Sequence, residues 1–241
     1  MQDNPIHSEK VHQTERGLYI SDIVYGANDG VITTFAIISG AAGATLTPET
    51  IIILGLASLV ADGISMGMSN YLAISSRLAY QKQERAREYF EIENFPEQEK
   101  KEVRDILTNW GLDGEELETT LGALTRDKDR WVDIMMREEL GIFEDRVDSP
   151  LKHGAITTTA FILAGALPLV PYLFGVNSES QFTVSLTATA ISLFVVGAAR
   201  TFVTGASLFR SGFQMLLVGG FAAFAAFLVG AIVKSVFGVY I

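Results

Sequence analysis

Pairs of glutamates recur in the middle of the chain at a spacing that suits a bound cation. Glu88 and Glu91 are three residues apart, and Glu99 and Glu102 repeat the spacing after a proline. Side chains three apart share one face of a helix, so a turn at that proline would bring four carboxylates together. Like charges at that distance repel, and a divalent cation that prefers oxygen ligands would reverse the repulsion. The pattern therefore predicts a divalent metal site.

The same stretch contains one more candidate ligand and also permits an explanation without metal. Glu84 lies one helical turn before Glu88 on the same face, so it could add a further carboxylate. A helix rich in Glu, Lys and Arg can instead be a solvated face that intrahelical ion pairs stabilise. The charge pattern alone leaves both interpretations open.

Two adjacent methionines precede two glutamates in the same acidic region. Met135 and Glu139 are four residues apart, so a thioether and a carboxylate could reach one ion, with Met136 beside them. Soft sulfur next to hard oxygen favours Fe²⁺ or another transition metal over Ca²⁺ or Mg²⁺. The alternative is that one methionine packs into a helix-bundle core while Glu138 and Glu139 face water.

A second set of candidate residues lies in long apolar stretches. Asp22 and Asp29 are seven residues apart on one face of the first stretch, and Asp62, Met66 and Asn70 follow a four-residue spacing in the second. An ionisable group inside a membrane is costly and marks a functional site by default. We therefore expect these side chains to line a transport pathway. The alternative places Asp22 at the membrane interface and Asp62 protonated or hydrogen-bonded inside the bundle.

The elements that carry these residues are helices. The chain is 49% hydrophobic and 19% charged, and residues 80–148 hold twenty of its 28 acidic residues. A bilayer core needs roughly 20 apolar residues in a helix, and five stretches meet this length, approximately 18–44, 51–75, 154–174, 182–204 and 212–240. We predict an all-α membrane protein with five transmembrane helices and a cytosolic helical metal-binding insert between the second and third. The predicted domains are a polar segment 1–17, helices one and two in 18–78, the acidic domain 79–149, and helices three to five in 150–241.

Charge distribution sets the expected orientation and excludes several classes of function. Lys and Arg are absent from residues 44–50 and 175–181 but abundant in 77–152 and 200–210, which places the N-terminus and the acidic insert in the cytoplasm. The polar N-terminus lacks an apolar signal core, so the first span should direct insertion. Zero cysteines exclude disulfides and thiolate metal sites, and the net charge of −10 argues for cations and against nucleic acid.

Several motifs together resemble the vacuolar iron transporter family. They are ISDIVYGANDGV at residues 20–31, Ser65-Met66, MMREELG at 135–141 and LFRSG at 208–212, and they occur in the family's order over nearly the whole chain from Arg16 onward. The resemblance implies five transmembrane helices, a cytosolic metal-binding domain and a homodimer whose pore lies between the subunits. It also implies export of Fe²⁺ from the cytosol, coupled to a counter-flow of protons. Because the resemblance is to transporters, we expect that the protein is not an enzyme.

The resemblance also carries over to individual positions. Asp29 and Met66 match the family's pore acid and pore methionine, and Asp22 matches an acid nearer the pore mouth. The cytosolic ligands are matched by Glu88, Glu91, Glu99, Glu102, Met135, Met136 and Glu139. The chain departs from the family at Asn70 and Gln214, where Glu is common, and at Asp62, where a small residue is usual.

Some questions stay open from the sequence. The cargo could be Fe²⁺, Mn²⁺, Co²⁺, Ni²⁺ or Zn²⁺, and the membrane would be vacuolar in a eukaryote and plasma or inner in a prokaryote. A different class of function is a membrane-anchored metal buffer or ferroxidase, since paired Glu-x-x-Glu helices are similar to di-iron carboxylate bundles. Those bundles add Glu-x-x-His, and no histidine lies between His12 and His153.

Overall fold

The computed structural model describes residues 14–143, 149–175, 177, 180–201 and 205–238, and these residues form helices without any strand. The predicted polar segment 1–17 lies mostly outside this part of the chain. The helices are α1 (Thr14–Gly43), α2 (Pro48–Asn94), α3 (Pro96–Asn109), α4 (Gly114–Leu124), α5 (Lys128–Ile134), a π-helical turn (Met135–Glu139), α6 (Pro150–Gly165), a 3₁₀ turn (Leu167–Leu169), α7 (Val170–Leu173), α8 (Gln181–Ala199) and α9 (Leu208–Phe237).

The chain divides into two compact units. The first, which we call the membrane unit, contains Met1–Tyr71 and Ser149–Ile241, and the second, which we call the acidic unit, contains Leu72–Asp148. Helix α2 contributes residues to both.

In the membrane unit, α1 is the central helix. It packs against α6, α8 and α9, and the core of the unit includes the side chains of Phe35, Ile38, Phe161 and Leu169. The approach of α1 to α6 is close at Gly30, where an added Cβ would lie 2.3 Å from the carbonyl oxygen of Phe161. Only a residue without a side chain allows this contact.

Four helical segments within the described residues are long and apolar enough to cross a membrane. They are α2, the stretch Pro150–Leu173, α8 and α9. The chain is therefore a multi-pass membrane protein. The predicted fifth span, α1, is not among the four because polar residues such as Asn28 and Asp29 lower its hydropathy.

The acidic unit is a small helical bundle. Its core contains apolar side chains from every helix of the unit, namely Ile92, Val103, Leu107, Leu117, Leu121, Trp131, Val132, Met135 and Met136. Helix α3 starts at Pro96, as the sequence predicts for a proline in a first helical turn. Helix α5 ends at Ile134, and the chain continues as a π turn, in which the Leu140 N–H donates to the Met135 carbonyl at 3.1 Å.

Candidate functional site

Five carboxylates of the acidic unit form one cluster. Glu88 and Glu91 belong to α2, Glu99 and Glu102 to α3, and Glu139 to the end of the π turn. A cavity of about 320 Å³ is lined by four of them together with Phe95 and Gln98. The fifth, Glu88, is close enough to experience the charges of the other four. The turn at Pro96 thus brings the two glutamate pairs together, as their spacing predicts.

Two of these carboxylates are buried without full hydrogen bonding. Glu88 is 2% exposed and Glu99 is 4% exposed, and the Oε2 atom of each has no hydrogen-bond partner among the described residues. A buried charged oxygen without a partner is strongly unfavourable. Binding of a proton or a cation at Glu88 and Glu99 would therefore be favourable.

Burial and mutual repulsion raise the proton affinity of the cluster. The pKa of Glu88 rises to about 7, mainly because burial disfavours the charged form and secondarily because of Glu139, Glu99 and other neighbours. Burial, with Glu102 as the largest charged neighbour, raises the pKa of Glu99 to about 7 as well. The pKa of Glu139 is raised by partial burial of its carboxyl group and by Glu102 and Glu91. These are the shifts expected where like charges share a desolvated site.

The cluster is not arranged as a finished coordination shell. Among the described residues, no group of three or more His, Asp or Glu side chains is positioned to hold one metal ion. Side-chain rotation is therefore needed before several carboxylates can contact the same cation. The cavity beside them provides space for that movement.

Ion pairs on the outside of the bundle connect α2 to α5, the helix that leads into the π turn. Arg85 contacts Asp133 at 2.7 Å, and Lys128 contacts Glu93 at 2.7 Å. The Tyr89 hydroxyl also donates to Asp129. These contacts fix α5 against the helix that carries Glu88 and Glu91.

Glu84 is placed apart from the other candidates. It is partly buried and contacts Arg87 at 3.7 Å, and it does not line the acidic cavity. This is an intrahelical ion pair between an exposed arginine and a mostly buried glutamate side chain. Its role as a ligand stays a prediction.

Both methionines pack into the core of the bundle. Met135 is 0% exposed and Met136 is 2% exposed, next to Trp131 and Val132, and neither lines the acidic cavity. The π turn carries them inward, while Glu138 is exposed and Glu139 lines the acidic cavity. This agrees with the alternative of a core role and extends it to both residues, while their role as ligands stays a prediction.

In the membrane unit, Asp22 and Asn70 meet in a buried polar network. The Asn70 amide donates to Oδ1 of Asp22 at 2.9 Å and to the Thr157 hydroxyl at 2.8 Å. Nδ1 of His153 lies 2.5 Å from Oδ2 of Asp22. Both oxygens of Asp22 therefore have partners inside the protein, and the ring of Tyr19 packs on His153 at 4.9 Å between centroids.

The other two aspartates form a separate pair. Asp29 of α1 and Asp62 of α2 are both partly buried, and their charges interact. The Ser58 hydroxyl donates to Asp62, as one alternative for this residue anticipated. Met66, one turn after Asp62, is partly buried against the core of the membrane unit. The five predicted pathway residues thus fall into two groups. Asp22 and Asn70 form one, and Asp29, Asp62 and Met66 form the other.

His153 and Thr157 are the members of the network that the sequence did not reveal. His153 lies near the start of α6, which begins at Pro150. It therefore places an imidazole at the beginning of an apolar helix. An ionisable residue at that place is a signal of function in a membrane protein. Its partner, Asp22, is 131 residues away along the chain, so the pairing itself has no local signature.

Comparison with known proteins identifies the family. The model of the VIT family matches residues 20–231. The chain belongs to the VIT family. Vacuolar iron transporter 1 of Arabidopsis thaliana is 33% identical over 227 residues, which cover 92% of this VIT-family chain and 91% of the relative.

Relatives from distant organisms show similar agreement. Vacuolar iron transporter 2 of Oryza sativa is 33% identical over 230 residues, covering 95% of this chain and 93% of the relative. The vacuolar iron transporter of Plasmodium berghei is 34% identical over 227 residues, covering 90% and 83%. The matched region of this VIT-family chain includes the acidic cluster, the Asp22 network and the Asp29–Asp62 pair.

Proposed function

We propose that this protein transports a divalent transition metal, Fe²⁺ first among them, out of the cytosol and across a membrane. The relatives are named vacuolar iron transporters. The observation that carries the proposal is the acidic cluster, in which Glu88 and Glu99 each have a buried oxygen without a hydrogen-bond partner in the described part of the chain. Oxygen ligands around this cavity can bind Fe²⁺, Mn²⁺, Co²⁺, Ni²⁺ or Zn²⁺, and coordination geometry and metal availability decide which of them is bound.

The acidic unit would capture the cargo. A cation that enters the cavity replaces the protons which the raised pKa values of Glu88 and Glu99 hold near neutral pH. Glu91, Glu102 and Glu139 line the same cavity and supply further oxygens. The acidic unit would thereby raise the local cation concentration on the cytosolic side.

The pathway through the membrane would use Asp29, Asp62 and Met66. Two partly buried carboxylates and a thioether can replace part of the hydration shell of a transition-metal ion. Asp22 and Asn70, whose polar atoms bond to each other, would border this pathway as a structural network instead of contacting the cargo. Helix α1 would be the fifth span, because it contacts α6, α8 and α9, three helices that form the rest of the bundle.

The pathway would be completed by a second subunit. On α1, Tyr25 is 61% exposed, and on α2 Ser65 and Ser69 are exposed beside the partly buried Asp62. Polar groups on membrane helices face a bundle interior or a water-filled space and avoid lipid. A homodimer that pairs these faces would enclose them, and it is the assembly that we propose.

Orientation and coupling complete the proposal. The N-terminus and the acidic unit would be cytoplasmic, because the short loops rich in Lys and Arg stay on that side. The membrane would be vacuolar in a eukaryote and plasma or inner in a prokaryote. Transport would exchange the cation against protons, since carboxylates must lose protons before a cation binds them.

Transport in proteoliposomes tests the proposal. Anoxic Fe²⁺ is added outside vesicles that contain a trapped metal-sensitive dye, and the purified full chain is compared with Asp29→Ala/Met66→Ala and with Glu115→Gln. We expect the double variant to lose at least nine-tenths of the flux, while the control, an exposed glutamate of α4, keeps it. Equal flux in the double variant would contradict the pathway. Oxygen consumption without Fe²⁺ flux would favour the ferroxidase alternative, and Fe²⁺ retention without flux would favour the buffer.

A further inference from the structure

An apolar cavity of about 360 Å³ lies among α1, α8 and α9 in the membrane unit. Phe35 and Ser39 of α1, Leu193 of α8 and Gly219 of α9 are among the residues that line it. None of the described lining residues carries a charge. A cavity of this composition suits a hydrocarbon chain and disfavours a metal ion or another charged ligand.

The cavity opens on the outer surface of the helices. Phe35 and Ser39 are 3% and 2% exposed, so α1 forms its floor, whereas Leu186 on α8 and Phe224 on α9 are 46% and 60% exposed at its rim. Helices α8 and α9 are long and apolar enough to cross a membrane. The acyl chains of the bilayer, which are as apolar as leucine, therefore reach this opening.

The length of the cavity matches one leaflet of a bilayer. Its lining residues extend from Phe182 to Leu193 on α8 and from Leu216 to Phe227 on α9. Each of these stretches is about 16 Å long, at about 1.5 Å per residue along a helix axis. The hydrocarbon of one leaflet is about 15 Å thick, which is half of the whole core. One extended acyl chain would therefore fill the cavity from end to end.

One hydroxyl group in the cavity lacks a hydrogen bond. The Oγ atom of Ser39 is buried and has no partner within the described ranges. Thr189 lines the same cavity, but its hydroxyl donates to the Ser185 carbonyl four residues earlier at 2.7 Å. Ser39 does not form the equivalent bond to Phe35. Because a buried donor without a partner is unfavourable, an occupant that brings an acceptor oxygen would be favoured.

Ser39 lies at the depth where a glycerolipid carries its ester groups. Helix α1 ends at Gly43, so Ser39 is about 6 Å from the end of the helix. An added Cβ on Gly219, at the other end of the cavity, would meet Ile32, which lies deeper along α1. An ester carbonyl at Ser39 would thus have its acyl chain running toward the middle of the membrane.

A second copy of the chain is the other occupant to consider for an exposed apolar groove. The polar groups that the proposed homodimer encloses are on α1 and α2, namely Tyr25, Ser65 and Ser69. None of these three lines the cavity. The side chains of a facing helix would also leave gaps in a groove of this length, whereas a flexible acyl chain follows it closely.

We propose that this cavity binds one acyl chain of a membrane glycerolipid, whose ester carbonyl accepts a hydrogen bond from the Ser39 hydroxyl. In the proposed orientation, the lipid belongs to the non-cytosolic leaflet. The bound chain fills the space between α8 and α9 and stabilises their packing on α1. The site is separate from the acidic cluster and from the Asp29–Asp62 pair, so it does not depend on the transport function.

Photolabelling of the full chain tests where the lipid binds. The protein is reconstituted in phosphatidylcholine vesicles that include a phosphatidylcholine with a diazirine in its acyl chain, and mass spectrometry locates the label. Gly220→Leu places a side chain in open space within the cavity. This variant should lose most of the label in the cavity and keep the label at Ile232 and Val236, which are exposed on α9 outside it. Equal labelling of the cavity in both proteins would overturn the proposal.

Competition between ester and ether lipids tests the hydrogen bond at Ser39, first on the unmodified protein. A dialkyl ether phosphatidylcholine of equal chain length lacks the carbonyl. We expect the diester lipid to displace the label about three- to tenfold better, the factor that one net hydrogen bond supplies. Ser39→Ala should abolish this preference, and Ser192→Ala, whose hydroxyl already donates to the Ala188 carbonyl, should keep it. No preference in the unmodified protein, or an equal preference in Ser39→Ala, would overturn the assignment.

A cysteine at the rim distinguishes the lipid from a second copy. The chain has no cysteine, so Leu186→Cys introduces a single thiol beside the cavity. We expect this variant to remain free of disulfide-linked dimers when it is oxidised in vesicles. Efficient linkage would show that another copy covers the cavity and would overturn the proposal. Fe²⁺ flux enters none of these measurements, so their failure would leave the transport proposal standing.

Discussion

The carboxyl groups of Glu88 on α2 and Glu99 on α3 are buried close enough to repel each other, and within the residues that the structure describes each has one oxygen without a hydrogen-bond partner. Such an arrangement is unfavourable for stability when both groups are charged. A protein can tolerate it if a proton or a cation relieves the repulsion. The chemistry of the acidic unit follows from this relationship.

Stability of the acidic unit should therefore fall as the pH rises. The pKa of Glu88 and of Glu99 is about 7 in the folded protein, above the ordinary value of 4.5. The folded state then binds more protons than the unfolded state between pH 4.5 and 7, so this stabilising contribution is complete below pH 4.5 and is lost as the pH passes 7. Without metal, we expect an unfolding midpoint at pH 8 on the order of 5–10 °C lower than at pH 5.

Tryptophan fluorescence is the measurement for this prediction, because the chain has two tryptophans, Trp110 and Trp131, and both belong to the acidic unit. Melting of the full chain in nanodiscs then reports this unit. Glu88→Gln/Glu99→Gln should lose most of the difference between pH 5 and pH 8. A difference as large as in the unmodified protein would show that other groups cause it.

Divalent cations should reverse the loss of stability at high pH. At pH 7.5, Mn²⁺ or Fe²⁺ in excess should raise the same fluorescence midpoint, because a ligand that binds the folded state stabilises it. Glu99→Gln/Glu102→Gln should weaken the apparent affinity at least tenfold, and the exposed Glu115→Gln should leave it unchanged. Calorimetry on the full chain provides the affinities. Equal affinities in all three proteins would place the cation elsewhere.

The methionines should respond as core residues. Met136→Leu conserves volume and should cost less than about 1.5 kcal/mol, whereas Met136→Ala should cost about 2–5 kcal/mol because it leaves a cavity. We expect Met136→Leu to keep the Fe²⁺ affinity within twofold. Chemical denaturation and calorimetry measure the two quantities. A tenfold loss of Fe²⁺ affinity with unchanged stability would instead establish the thioether as a ligand.

The contact between α1 and α6 should not tolerate a side chain at Gly30. An added Cβ would lie 2.3 Å from the Phe161 carbonyl oxygen, so Gly30→Ala should destabilise the membrane unit by about 1–3 kcal/mol through overpacking. Gly220 on α9 is a matched control, because an added Cβ there meets nothing within 4 Å. Gly220→Ala should be neutral or slightly stabilising. Size-exclusion chromatography after heating steps measures the difference, and equal midpoints would contradict the packing.

Local signals in the sequence were sufficient for the start of α3 and for the proximity of the glutamate pairs. Pro96 marks the start of α3, and the spacing of Glu88, Glu91, Glu99 and Glu102 placed these residues together. The π turn was not predicted, because the choice between a hydrogen bond four or five residues back is decided by packing in the core.

The membrane unit shows the complementary limit of sequence reasoning. Spacing placed Asp62, Met66 and Asn70 on one stripe of α2, yet Asn70 bonds to Asp22 while Asp62 interacts with Asp29. The contact between His153 and Asp22 could not be predicted, because it depends on how α6 packs against α1. Contacts between distant segments are a property of the tertiary structure, which residue spacing within one helix does not contain.

The most direct test of the central claim compares the Asp29→Asn variant with the unmodified protein in proteoliposomes. Fe²⁺ flux and the Fe²⁺-induced stabilisation of the acidic unit are measured in the same preparation. In the proposed mechanism capture and passage are separate steps on different units, so we predict that flux falls at least tenfold while the rise in the tryptophan melting midpoint is unchanged. Flux equal to that of the unmodified protein, in the presence of normal Fe²⁺ binding, would contradict the account.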